Sequence, residues 1–189
     1  GGKTLHLADI QNDSGYIISA DVDFRKLREL KKRKNRASLN SIEVYQWGKN
    51  NAKSRQLKEK YFSSEFDAVL VDAPCSGLGT IRRMPVIKYR RNESVIRRHA
   101  NAQLALLKQY SAYLKRGGTL VYATCSIMPE ENEEVVKSFL DSEPDFEPLP
   151  LWNAFSNYGI EIPGLGKNDF YVSLNPHEHD TDGFFIAGM

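Results

Sequence analysis

Two of the 189 residues are cysteines, and both fall where chemistry is usually built. Cys75 lies in Asp72-Ala73-Pro74-Cys75-Ser76-Gly77-Leu78-Gly79, at the end of the apolar run Phe66–Val71. Cys125 lies in Ala123-Thr124-Cys125-Ser126, at the end of a second apolar run. The first loop holds an acid, a thiol and two glycines, and glycine lets backbone approach a ligand closely. Position alone leaves three readings of the thiols open: covalent catalysis, a redox pair, or small buried hydrophobes. Two cysteines are too few for a Cys-rich zinc site, and His6, His99, His177 and His179 form no ligand pattern with them, so no metal is expected. Nor does the count suit a secreted disulfide scaffold.

Charge points to a polyanion. The net charge is +2, but residues 1–116 carry 24 Lys and Arg against 11 Asp and Glu, while residues 117–189 carry 2 against 13. One basic cluster runs from Arg25 to Arg36 and another from Arg82 to Arg98. Either alone reads as a solvated helix face. The second follows the Cys75 loop at once, and Arg82, Arg83 and Lys88 suit phosphate contacts. Asp21 closes a short apolar strand, where an acid commonly accepts from the ribose hydroxyls of an adenosine cofactor; capping a helix is the alternative role. Gly1-Gly2-Lys3-Thr4 is compatible with the tail of a phosphate-binding loop, a weak signal by itself.

The elements that must position these residues alternate. Strands are predicted over residues 16–20, 42–45, 66–71 and 119–123, with two late ones at 170–174 and 183–187 pairing at a sheet edge. A helix from Phe24 to Asn35 is capped by Asp23. Another from Ser94 to Leu114 is stopped by Gly117-Gly118. A third starts at Pro129, with Glu130, Glu131, Glu133 and Glu134 on its positive end, and runs to Leu140. The continuous apolar character of residues 66–71 reads as a buried parallel strand. Alternation of this kind predicts an α/β fold with a doubly wound, mostly parallel sheet, in a single domain over residues 1–189. Asp21, Asp72 and Cys125 then share the carboxyl ends of strands, where such folds bind ligands. No apolar run reaches membrane-spanning length and the start is no signal peptide, so a cytoplasmic protein is expected.

Taken together and in order, these segments resemble the Sun-type (Nop/Sun) RNA cytosine-5 methyltransferases. Asp72 to Gly77 resembles that family's fourth motif. Ala123 to Ser126 with Pro129-Glu130-Glu131-Asn132-Glu133 resembles its sixth. Arg82-Arg83 and Ile87-Lys88-Tyr89 resemble the stretch between, and Asn175-Pro176 with Thr181-Asp182-Gly183-Phe184-Phe185 its closing motif. Gly1-Gly2-Lys3-Thr4 resembles the end of the cofactor loop. The resemblance implies a Rossmann-like fold, S-adenosylmethionine as cofactor and RNA as partner, ribosomal rather than transfer RNA by family analogy; a monomer is expected. It implies Cys125 as the nucleophile, Cys75 as the group assisting release, and Asp72 at the cytosine edge and near the cofactor. It further implies Gly1, Gly2, Lys3 and Asp21 as cofactor-binding, and a first strand with Cys-Ala-Ala-Pro ahead of Gly1. Gln46 and Trp47 stand where the family has an acid near adenine. A DNA cytosine-5 methyltransferase, using the Cys of Pro74-Cys75, is the rival enzyme reading. An inactive fragment or RNA-binding module is the rival of another class.

Overall fold

The computed structural model describes residues 1–48, 59 and 66–189. It divides into two compact units, Gly1–Ser64 and Glu65–Met189.

In the first unit, helix α1 (Gly2–Ile10) leads into strand β1 (Ile17–Asp21), helix α2 (Phe24–Arg36) and strand β2 (Ile42–Gln46). β1 and β2 pair in parallel, from Ile17 opposite Ile42 to Asp21 opposite Gln46. Thr4 Oγ1 and Ser19 Oγ meet at 3.0 Å, tying α1 to β1. The Asp23 carboxylate caps α2, accepting from Arg25 N at 2.7 Å. Leu27 and Leu30 supply the buried stripe of α2 while its many Lys and Arg residues point mostly outward. Asp13 pins the start of β2, accepting from the backbone N–H of Asn40 at 2.8 Å and of Ser41 at 2.9 Å. These bonds hold its carboxyl below the usual aspartate range, the Ser41 side chain first and the Asn40 and Ser41 backbone next.

The second unit is built on four strands, β3 (Phe66–Asp72), β4 (Leu114–Thr124), β5 (Tyr171–Leu174) and β6 (Phe184–Gly188), in the order β3-β4-β6-β5. β3 and β4 are parallel; β6 runs antiparallel to both of its neighbours. Helices α3 (Glu93–Ser111) and α4 (Glu133–Ser142) cover one face. Leu107, Leu120, Tyr122, Val136, Phe139 and Phe185 form its buried centre. Truncating Phe139 there is expected to cost about 3–5 kcal/mol. The opposite face carries a smaller cluster of Leu151, Leu165 and Val172, with the short helix α5 (Trp152–Ser156) beside it. A one-turn helix, α6 (Pro176–His179), links β5 to β6.

Three sequence expectations need correction. β3 is parallel, as expected, but not buried throughout. It lies at an edge of the described sheet, with Val69 and Val71 on the core side and Leu70 40% exposed. A uniformly apolar run hides this alternation. The helix expected to reach Leu114 ends at Ser111, and Gly117-Gly118 lie inside β4. The strand is recruited earlier than expected because Phe66 pairs with Leu114, after which the register shifts. Gly118 permits that shift: a Cβ there would meet Asp67 O at 2.9 Å. Finally, the helix expected to start at Pro129 is split. Pro129–Glu131 form a 3-10 turn, Asn132 leaves helical geometry at φ −119°, ψ −99°, and α4 begins at Glu133.

Candidate active site

The parallel pairing of β3 with β4 aligns the two thiol-bearing loops. Asp72 stands opposite Ala123, and Ala73 N donates to Ala123 O at 2.9 Å, so both chains leave the sheet side by side. Three residues past Asp72 and two past Ala123, Cys75 Sγ and Cys125 Sγ lie 3.3 Å apart. Both are free thiols and partly buried. The separation is well beyond a disulfide bond and fits an S–H···S contact. Asp72 is exposed at the end of β3.

The two thiols interact electrostatically. The hydrogen bond to Cys125 pushes the Cys75 thiol far above the ordinary range, and burial and the Cys125 charge push it further. Cys75 therefore keeps its proton to higher pH than an ordinary thiol.

Behind the thiols lies a buried polar cluster that the sequence did not announce. The sequence places Glu131 only at the positive end of a helix dipole. It is 0% exposed and turned inward. Its Oε1 accepts from Ser76 N at 2.7 Å and Gln103 Nε2 at 3.3 Å. Its Oε2 accepts from Ser76 Oγ and Ser126 Oγ, each at 2.5 Å. Gln103 Nε2 also donates to Pro74 O at 3.0 Å. Asn132 donates to Ser126 O at 3.0 Å and accepts from Thr124 Oγ1 at 2.6 Å. Tyr122 donates its hydroxyl to Glu131 O at 2.5 Å; burial, with Cys75 and Glu131 nearby, raises the phenol above its ordinary value. The one available signal was the pair of Cys-Ser doublets, whose serines both point to this carboxylate.

Gly79 closes the arrangement. Its N–H donates to Cys125 O at 2.9 Å and its carbonyl accepts from Gly183 N at 2.8 Å. A Cβ on Gly79 would lie 2.1 Å from Gly183 O. The loop after β3, the end of β4 and the Thr181-Asp182-Gly183 turn thus meet backbone to backbone. Arg91 Nε adds a bond to Ser76 O at 2.7 Å.

The 16S rRNA methyltransferase RsmB/F family matches residues 1–189. The chain belongs to this family. Curated relatives of the chain include a probable ribosomal RNA small subunit methyltransferase B from Bacillus subtilis, 36% identical over 100% of this chain and 40% of that protein. A ribosomal RNA small subunit methyltransferase B from Proteus mirabilis is 34% identical over 99% of this chain and 38% of its own length. The chain thus spans about 40% of the length of these relatives. Among solved structures, NSun6 from Pyrococcus horikoshii with SFG superposes with a TM-score of 0.79 at 32% identity, covering 100% of this chain and 44% of that one. A methyltransferase homolog protein from the same organism gives 0.74 at 36% identity, covering 100% and 57%. The fold is that of the Rossmann-like S-adenosylmethionine methyltransferases.

The remaining predicted site residues fall into two groups. In the first unit, Gly1 is the N-cap of α1 and Gly2 and Lys3 lie in its first turn, all exposed. Asp21 ends β1; its Oδ1 accepts from Asp23 N at 2.8 Å and its Oδ2 lies 3.5 Å from Lys26 Nζ. A carboxylate has lone pairs beyond these two contacts, so Asp21 fits an acceptor of ribose hydroxyls. In the second unit, Arg82 and Arg83 are exposed and paired with acids of the late turn, Arg82 with Asp180 at 2.8 Å and Arg83 with Asp182. Lys88 Nζ lies 4.9 Å from the centroid of the Tyr89 ring. Among the described residues no group of three or more His, Cys, Asp and Glu could hold a metal, and no helix is long and apolar enough to cross a membrane.

Proposed function

We propose that this chain works as one catalytic domain, which methylates carbon 5 of a cytosine in small-subunit ribosomal RNA through a covalent adduct on Cys125. The observation that carries the reading is the 3.3 Å pair of thiols at the ends of adjacent parallel strands. Carbon 5 of cytosine is a poor nucleophile. The Cys125 thiolate adds to carbon 6, forming a C–S bond and moving the ring electrons toward nitrogen 3, so that carbon 5 becomes an enamine carbon. Asp72, at the end of β3, holds the cytosine edge and hydrogen-bonds at nitrogen 3, which favours that shift. Bound S-adenosylmethionine supplies an electrophilic methyl for carbon 5. Release requires loss of the proton from carbon 5 and expulsion of the Cys125 thiolate from carbon 6. The carbon 5 proton passes to water, and Cys75, the protonated neighbour, assists by hydrogen-bonding the departing Cys125 sulfur.

For cofactor binding, the reading assigns Gly1, Gly2 and Lys3 at the N-terminus of α1, Asp21 at the ribose and Asp72 near the methionine end. It draws support from the relative solved with SFG, an analogue of S-adenosylmethionine. The RNA is held by Arg82, Arg83 and Lys88, whose phosphate contacts compete with Asp180 and Asp182. The target base must be unstacked to reach a thiol. A monomer acting in the cytoplasm accords with this substrate. The test is single-turnover methylation of unmodified small-subunit RNA with labelled S-adenosylmethionine, then digestion to nucleosides. Label in 5-methylcytidine is expected; label in any other nucleoside overturns the reading.

A further inference from the structure

Each of the two cysteines is followed by a serine, and the two serines repeat the geometry of the thiols one residue deeper. Ser76 Oγ and Ser126 Oγ are 3.3 Å apart, both residues are buried, and both hydroxyls donate to the same oxygen, Glu131 Oε2. The second oxygen of that carboxylate takes the Ser76 backbone N–H. Glu131 thus makes three bonds to the residues directly behind Cys75 and Cys125. Each serine is fixed to its own loop as well, Ser76 Oγ accepting from Leu78 N at 3.4 Å and Ser126 Oγ from Met128 N at 3.1 Å. Gln103, from α3, steadies the carboxylate from the side.

We propose that Glu131 is the positioning residue that sets the spacing of the two thiols, clamping the loop behind Cys75 to the loop behind Cys125 through Ser76 and Ser126. Main-chain pairing of β3 with β4 ends at Asp72 and Ala123. Beyond that point the two loops share the Ala73 N to Ala123 O and Gly79 N to Cys125 O bonds, and the carboxylate bridge joins the residues directly behind the two cysteines. Glutamine in its place keeps the shape but replaces one acceptor with a donor. In either orientation of the amide its NH2 then faces donors, the two serine hydroxyls on one side or Ser76 N–H and Gln103 Nε2 on the other, and a hydrogen is left without a partner. The clamp rests on the reading of Cys125 and Cys75 as a working pair only for its catalytic consequence; the spacing itself is tested without RNA or cofactor.

Phenylarsine oxide reports that spacing, because its arsenic captures two close thiols with release of water. The chain has no other cysteines. Wild type should bind one equivalent tightly, and Cys75→Ser and Cys125→Ser only weakly. Glu131→Gln and the milder Ser76→Ala and Ser126→Ala should weaken capture at least tenfold while melting as single folded species. In the same variants the rate of adduct formation with 5-fluorocytosine RNA should fall at least tenfold with little change in RNA affinity. A purely structural role would lower the melting temperature and leave capture intact. Ser126→Ala in a Glu131→Gln background should add little, because both act through one contact. Wild-type arsenical affinity in folded Glu131→Gln overturns the proposal. Loss of capture with no RNA adduct even in wild type would retain the clamp and remove the catalytic reading.

Discussion

Cys75 and Cys125 are separated by 50 residues of sequence and by 3.3 Å between their sulfurs. The hydrogen bond between them and burial hold the proton on Cys75.

An alkylation and pH experiment follows from the raised Cys75 thiol and the proposed role of Cys125. At pH 8, iodoacetamide should modify Cys125 before Cys75, by a factor of at least about ten. Peptide mapping after brief exposure reads the order, and earlier labelling of Cys75 would contradict it. The same shift makes stability fall in alkali. The folded chain keeps the Cys75 proton to higher pH than the unfolded chain, whose thiol titrates near 9.0. The contribution is complete below that value and is lost as pH rises above it. Cys75→Ser should flatten the alkaline limb of a melting-temperature profile; an unchanged limb would refute this account of the thiol.

Gly79→Ala should be among the most damaging single-carbon additions in the second unit. The new Cβ would meet Gly183 O at 2.1 Å and Cys125 O at 2.8 Å, and both are backbone atoms with little room to give. A loss of about 1–3 kcal/mol or more is expected in denaturant unfolding, together with slower trapping of RNA as Cys125 shifts. A variant as stable as wild type would mean that these three segments are not packed as described.

Asp180→Asn should tighten RNA binding. Asp180 is 91% exposed and Arg82 56%, so their pair adds little to stability, under about 1 kcal/mol. Removing the acid frees Arg82 for phosphate. Affinity is expected to rise by about two- to fivefold at low salt, and the gain should shrink as salt rises. Filter binding across a salt series decides it; unchanged affinity at every salt would remove Arg82 from the RNA surface.

Much of this architecture was legible because strand ends and chemical residues coincide. Asp21 and Asp72 end strands as their apolar runs implied, Asp23 caps α2, and the two late strands pair. What stayed hidden depends on distant partners. Nothing local distinguishes Glu131 from the acids around it, yet it is buried because Ser76, 55 residues earlier, points two donors at it. Arg82 reads as free for phosphate until Asp180, 98 residues later, is placed beside it. The position of Gly117-Gly118 inside β4 follows from pairing with Phe66 and Ala68, which no helix-stop rule contains. The apolar run of β3 gives its type but not which side faces the core.

Covalent trapping tests the central claim most directly. Wild type, Cys125→Ala and Cys75→Ala would each be mixed with S-adenosylmethionine and RNA carrying 5-fluorocytosine, which has no proton to lose from carbon 5, and run on a denaturing gel. The account predicts a shifted protein–RNA band in wild type and Cys75→Ala, and none in folded Cys125→Ala. With ordinary RNA, Cys75→Ala alone should accumulate the adduct, because release is slowed. A band that survives in Cys125→Ala and disappears in Cys75→Ala would contradict the account and make Cys75 the nucleophile.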